Sequence, residues 1–243
     1  MTLTSPIFLF FFLPAALAVY YLLKEKYRKI ALAAIFIAYY GIAGIANPFS
    51  LLLICTFIFL LFVFTRVMAA QKNTKARSIL LAVFISLFVI GTMALRYSAE
   101  VFETIHGIRF PVGATVRCLL CISCLIDVYR GDTKAPGIVD CVVYLMFFPI
   151  MVAGPIVKFK DFLNITENRD SSMHNFALGA RLYMRGFVKR FALGAVLNDA
   201  FEGVFGAKLE DVSVIMALAM LIMVSLMMYA MLSGYSDMGT GVA

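Results

Sequence analysis

The stretch 147-FFPIMVAGPIVKFKDF-162 decides how this chain is read. It is apolar as far as Val157, yet Pro149 and Pro155 each remove a backbone donor and clash with the preceding turn, and Gly154 frees the backbone between them. A straight helix cannot run through it. Lipid offers freed backbone groups no hydrogen bonds, so within a membrane such a break persists only where it is buried in protein or lines a cavity. The stretch is therefore expected to bend, to enter and leave the membrane on the same side as a re-entrant segment, and to lie beside a pathway.

Working outward, the solvent is indeed expected to be lipid. The chain of 243 residues is 63% hydrophobic and 14% charged, with a mean hydropathy of +0.96, far too apolar for a soluble domain. An all-α polytopic membrane protein with about six or seven crossings is expected, formed as a single membrane domain over 1–243. The net charge of +7 reads as Lys and Arg gathered in cytoplasmic loops rather than as a nucleic-acid surface. Pro6 to Leu23 has no basic leader and no small-residue cleavage site, so it should remain as a span. The five cysteines, Cys55, Cys118, Cys121, Cys124 and Cys141, fall in or beside apolar segments, which speaks against a disulfide framework. Cys118, Cys121 and Cys124 superficially resemble an iron–sulfur run but lack the fourth cysteine followed by proline. They read as thiols packed on one helix face, with no metal or cofactor.

Taken in order, spans are expected at Pro6 to Leu23 with a kink at Pro14, Ile30 to Ala46, Ser50 to Ala70, Ser78 to Arg96, Pro111 to Tyr129 and Val212 to Leu232. Ser98 to Phe110 is expected to lie at the interface as a short helix or loop. The basic loops Lys24 to Lys29 and Lys72 to Arg77 belong in the cytoplasm, which puts the N-terminus outside. The same rule places Asp127, Arg130, Lys158, Lys160 and Arg169 inside. Beyond the polar loop Asn164 to Asn175, Arg181, Arg185 and Lys189 recur every four residues beside Arg190. That pattern predicts a cytoplasmic interfacial helix, either snorkelling into anionic headgroups or docking an acidic or phosphorylated donor. Whether 191–206 crosses is left open by Asp199 and Glu202.

Three ordered motifs carry a resemblance: LIDVYRGD at Leu125 to Asp132, the bent stretch itself, and SGYSDMGTG at Ser233 to Gly241. With the opening SPIFLFFFLP and the YYLL that follows, they resemble the membrane-bound O-acyltransferase family, nearest its alginate O-acetyltransferase branch, which is similar to the teichoic acid D-alanyl transfer proteins. The resemblance reaches about the first half of a typical member. It implies transfer of an acyl group, acetyl in that branch, from a cytoplasmic thioester or carrier-protein donor to hydroxyls of an extracellular or periplasmic polysaccharide, through a funnel across the membrane. It further implies an essential histidine in an apolar helix beyond the motif matched by Ser233 to Asp237, past the last residue of this sequence. The chain departs from the family at Thr115 to Leu120, where relatives carry an aromatic and polar run ending in glutamine. It departs again at Ala230 to Leu232, where an aspartate is usual, and at Gly194 and Ala195.

Acyl transfer to a hydroxyl needs a group that takes the hydroxyl proton near neutral pH, for which histidine is the usual choice. His106 and His174 are the two present, one in the outer interfacial segment and one in a polar inner loop, where solvated histidines are ordinary. No residue is therefore assigned as catalytic. The pathway candidates are Asp127, Arg130, Gly154, Pro155, Tyr235, Ser236 and Asp237. Asp127 and Arg130, three apart, share a helix face and could form an end-of-helix ion pair or meet the donor. Asp237 follows a long apolar run and is either a buried functional carboxylate or a helix end at the interface. Gly154 and Pro155 shape the bend. Arg117, within a span, requires a partner or water. Three readings stand together: a fragment of a longer enzyme, a split gene whose separate chain supplies the other half, or an inactive homologue acting as a membrane partner. A transporter should show paired broken segments, and one alone is visible here.

Overall fold

The computed structural model describes residues 5–44, 48–106, 113–149, 156–167, 172–194, 196–199 and 213–242. It is helical throughout, with no strand among the described residues. Two compact units divide it: residues 1–151 with 156–169, and 152–155 with 170–243.

The first unit opens with a π-helical turn, Phe8–Phe12, that runs directly into α1, Leu13–Leu22. Pro14 sits at the start of α1 and brings no donor; the Leu13 N–H instead reaches back to the Phe8 carbonyl, so the expected kink is absorbed as a widened turn. Then come α2 (Glu25–Gly44), α3 (Pro48–Ala70), α4 (Thr74–His106), α5 (Ala114–Arg130), α6 (Ile138–Leu145) and α7 (Phe159–Glu167). Among the described residues, three helix segments are long and apolar enough to cross a membrane: Pro48–Ala70, Thr74–Ser98 and Val214–Val242. Phe8–Leu22 is apolar but shorter.

Several boundaries differ from the sequence reading. The basic residues Lys26 to Lys29 belong to the first turns of α2, and Lys75 to Arg77 to α4, leaving Gln71 to Asn73 between α3 and α4. Charged residues end apolar runs and so read as loop, but a helix end in the interface tolerates them. The segment from Ser98 onward is no separate interfacial element as far as His106: α4 continues through it. The polar loop Asn164 to Asn175 shrinks likewise, since α7 takes its beginning and the next helix its end.

The core of this unit is aromatic. Phe148, just past the break, stacks on Tyr39 at 4.7 Å between centroids and meets Phe8, Phe12 and Phe36 edge-on at 5.5–6.2 Å. Such offset and edge contacts add about 0.5–1.5 kcal/mol each beyond burial. Phe64 stacks on Phe84 at 4.0 Å, tying α3 to α4. Cys118, Cys121, Cys124 and Cys141 are free and buried, as packed thiols should be, whereas Cys55 is exposed.

The second unit holds α8 (Met173–Val188), a π-helical turn Lys189–Leu193, and α9 (Val214–Val242). Ser172 caps α8 by accepting from the Asn175 N–H at 3.2 Å. His174 is thus in the first turn of a helix rather than in a loop. The motif SGYSDMGTG also proves helical: α9 passes straight through it instead of ending at Leu232.

Candidate functional site

A helix break in the first unit falls at Met146 and Phe147, while residues 150–155, on which the expected bend falls, lie outside the described residues. α6 stops at Leu145, with Met146 out of helical geometry. The reason lies four residues on: the Leu145 carbonyl would bond the N–H of residue 149 in a continued helix, and Pro149 has none. Arg117 supplies the missing donor. Its Nε donates to the Leu145 carbonyl at 3.3 Å, and its guanidinium lies 5.2 Å from the Tyr40 ring centroid. The side chain is 1% exposed. The out-of-place charge thereby finds the partner it required, and the pair explains why an arginine is tolerated there. Across the break the Tyr144 hydroxyl of α6 donates to the Val157 carbonyl at 2.9 Å, so residues flanking the stretch are drawn together. Gly154 and Pro155 lie outside the described residues.

α5 is set by two left-handed glycines, Gly113 before it and Gly131 after it, at φ of 87° and 80°; such backbone strains any residue with a Cβ. At its lower end Asp127 is 6% exposed. Its carboxylate does not pair with Arg130. It accepts from the Lys160 N–H at 3.0 Å and so caps the start of α7 from a different helix. Lys160 Nζ stands 3.9 Å from Asp132. Arg77, from the start of α4, donates to the Val128 carbonyl with its guanidinium 5.6 Å over Tyr129. Lys29 pairs with Asp140, whose carboxylate also accepts from the Gly137 N–H at 3.0 Å. The segments assigned to the inner side by charge are thus joined to one another by direct contacts. A cleft of about 670 Å³ opens among them, lined by Leu119, Ile122, Ser123, Ile126, Asp127, Arg130, Asp132, Ile156, Lys158, Lys160 and Asp161.

The second unit makes a separate cluster from the basic helix and the terminal motif. Asp237 on α9 accepts from Lys189 Nζ at 2.6 Å and from Arg185 Nε at 3.3 Å. Lys189 Nζ also donates to Ser233 Oγ at 2.9 Å, and the Arg190 guanidinium lies 5.4 Å from the Tyr235 ring centroid. Two of the regularly spaced cations are therefore engaged by one carboxylate, which leaves headgroup snorkelling and donor docking chiefly to Arg181. Ser236 accepts through its carbonyl from Thr240 Oγ1 at 2.9 Å. The close approach rests on glycines. A Cβ at Gly179 would stand 2.7 Å from the Gly241 carbonyl oxygen, and one at Gly186 would stand 2.7 Å from the Met238 nitrogen. These contacts went unnoticed in the sequence, although glycines seven apart on both segments, 179 with 186 and 234 with 241, were the available signal. Among the described residues no group of His, Cys, Asp and Glu is arranged to hold a metal ion.

A helical chain with three segments long and apolar enough to cross a membrane among the described residues has the make-up of a membrane protein. The chain belongs to the membrane-bound O-acyltransferase family, whose model matches residues 57–240. It is 31% identical to the probable alginate O-acetylase AlgI of Pseudomonas aeruginosa, covering all of this chain and 49% of that protein. Identity is 30% with the same protein of Azotobacter vinelandii, covering all of this chain and 51% of the relative. It is 24% with the peptidoglycan O-acetyltransferase of Helicobacter pylori, over 98% of this chain and 53% of the relative. The chain spans about half the length of the curated relatives it matches.

Proposed function

We propose that this chain is the N-terminal half of a membrane-bound O-acyltransferase, a single membrane domain that moves an acetyl group from a cytoplasmic thioester or carrier donor to hydroxyls of a polysaccharide outside the membrane. The observation that carries this reading is the family match over 57–240, joined to alignment of the whole chain with alginate O-acetylases. The names of the relatives, which refer to alginate and peptidoglycan, support an envelope polysaccharide as the acceptor class. On this reading the remaining half, on the same or a separate chain, supplies the histidine that takes the hydroxyl proton.

The finer topology belongs to the same proposal. The N-terminus lies outside; α2 and α5 cross together with α3, α4 and α9, giving with the first segment about six crossings. The stretch through Gly154 and Pro155 is re-entrant, which the Tyr144–Val157 hydrogen bond supports by drawing its flanks together. α8 lies at the cytoplasmic interface. Asp127 and Arg130 mark the inner mouth of the pathway; Asp127 fixes the start of α7 and so the bearing of Lys158 and Lys160. Tyr235, Ser236 and Asp237 belong to the pathway through α9, where Asp237 holds the basic helix.

Deleting the gene and measuring ester-linked acetate on each envelope polysaccharide tests this. The expected result is loss of acetate from one polymer, restored by the wild-type gene. Unchanged acetate on every polymer would remove the functional reading while leaving the family membership intact.

A further inference from the structure

The cleft beside α5 has a graded lining. Leu119, Ile122, Ile126 and Arg130 follow at three- and four-residue steps, with Ser123 and Asp127 in the adjacent row, and together they form one stripe down the helix. The opposite face of α5 is buried through Arg117, Cys121, Cys124 and Leu125. The stripe therefore looks away from the unit's core, and Leu119 and Ile156 are 45% and 52% exposed. Its upper part is apolar and its lower end is charged. Within that lower end the charges are unequally engaged. Asp127 is held by the Lys160 N–H, and Lys160 Nζ faces Asp132. Arg130, Lys158 and Asp161 form no ion pair among the described residues, leaving two cations and one carboxylate around the same opening.

We propose that this cleft is a binding site for one membrane phospholipid with an amine headgroup of the phosphatidylethanolamine kind. An acyl chain lies along Leu119, Ile122 and Ile126, the phosphate is held by Arg130 and Lys158, and the ammonium faces Asp161. The charge pattern selects this occupant. A phosphatidylglycerol headgroup carries no cation to meet Asp161, and a choline headgroup offers no N–H for that carboxylate. The volume of about 670 Å³ is that of a ligand pocket, enough for a headgroup and the upper part of one chain. The site does not depend on acyl transfer, because what is read is retained lipid and not product.

The test is native mass spectrometry of the detergent-purified protein, followed by titration of the delipidated protein with phosphatidylethanolamine, phosphatidylglycerol, phosphatidylcholine and inorganic phosphate. One equivalent of phosphatidylethanolamine should be retained and rebound in preference to the others. The double variant Arg130→Ala/Lys158→Ala should weaken its binding by about tenfold or more, as expected for losing charge-assisted contacts. Ile122→Trp, which fills the apolar part and leaves every charge in place, should also expel it, while Lys75→Ala, exposed at the start of α4, should not. Folding of each variant is read from its elution in size-exclusion chromatography. No retained lipid, equal or better binding of phosphatidylglycerol or phosphatidylcholine, or displacement by inorganic phosphate would each overturn the proposal.

Discussion

At the scale of single residues, two buried charges act on backbone groups that the fold leaves without partners. Arg117 serves the carbonyl that Pro149 cannot serve. Arg117→Met should lower stability by about 1–3 kcal/mol, the cost of leaving a buried acceptor unmet, read as a fall in the detergent-solubilised melting temperature. Pro149→Ala in the same background should recover part of that loss, because residue 149 then regains its own N–H. Asp127 caps α7 from outside that helix. Asp127→Ala should cost about 1 kcal/mol and Asp127→Asn clearly less, since an amide oxygen still accepts; an ion-pair role with Arg130 would make the two substitutions equally harmful. The need for a partner at Arg117 was legible from its place in an apolar run. That the partner would be a carbonyl freed by a proline on another helix was not, because sequence gives no distance between positions 117 and 145.

At the scale of elements, the α8–α9 pair depends on glycines that admit no side chain. Gly186→Ala should destabilise the second unit by about 1–3 kcal/mol through overpacking, since the new Cβ meets the Met238 backbone. Gly91→Ala in α4, where a Cβ would meet nothing within 4 Å, should be neutral or stabilising by about 0.5–1 kcal/mol. Thermal unfolding of the two variants side by side checks this. The Lys189–Asp237 pair, with side chains 26% and 19% exposed, should give a coupling of about 1 kcal/mol in a double-mutant cycle with Lys189→Met and Asp237→Asn. Helix positions were largely legible because apolar runs of membrane length admit few alternatives. Their ends were not. Lys26 and Arg77 read as loop residues, yet helices carry them, and SGYSDMGTG reads as a terminus because its small and polar residues end the apolar run. Its helicity follows from packing on α8, which a reading of α9 alone does not contain.

At the scale of the whole molecule, family membership was the most legible property, since three motifs in order specify it more tightly than composition does. The proposed pathway is less so: Asp127, Arg130, Tyr235, Ser236 and Asp237 could be marked as polar exceptions in apolar surroundings, but the groups that Asp127, Tyr235 and Asp237 meet come from distant parts of the chain. The N-terminus is expected outside, and a reporter fused before Met1 should be modified by a membrane-impermeant reagent in intact cells, whereas a cysteine placed at Lys75 should not. The central claim is acyl transfer across the membrane, and the direct measurement uses inside-out vesicles containing the protein at its full natural length. Labelled acetyl donors are supplied to the cytoplasmic face and polysaccharide to the lumen. The account predicts base-labile label on the polysaccharide, absent from vesicles without the protein. Intact, folded protein that transfers no label from any thioester or carrier donor would contradict it.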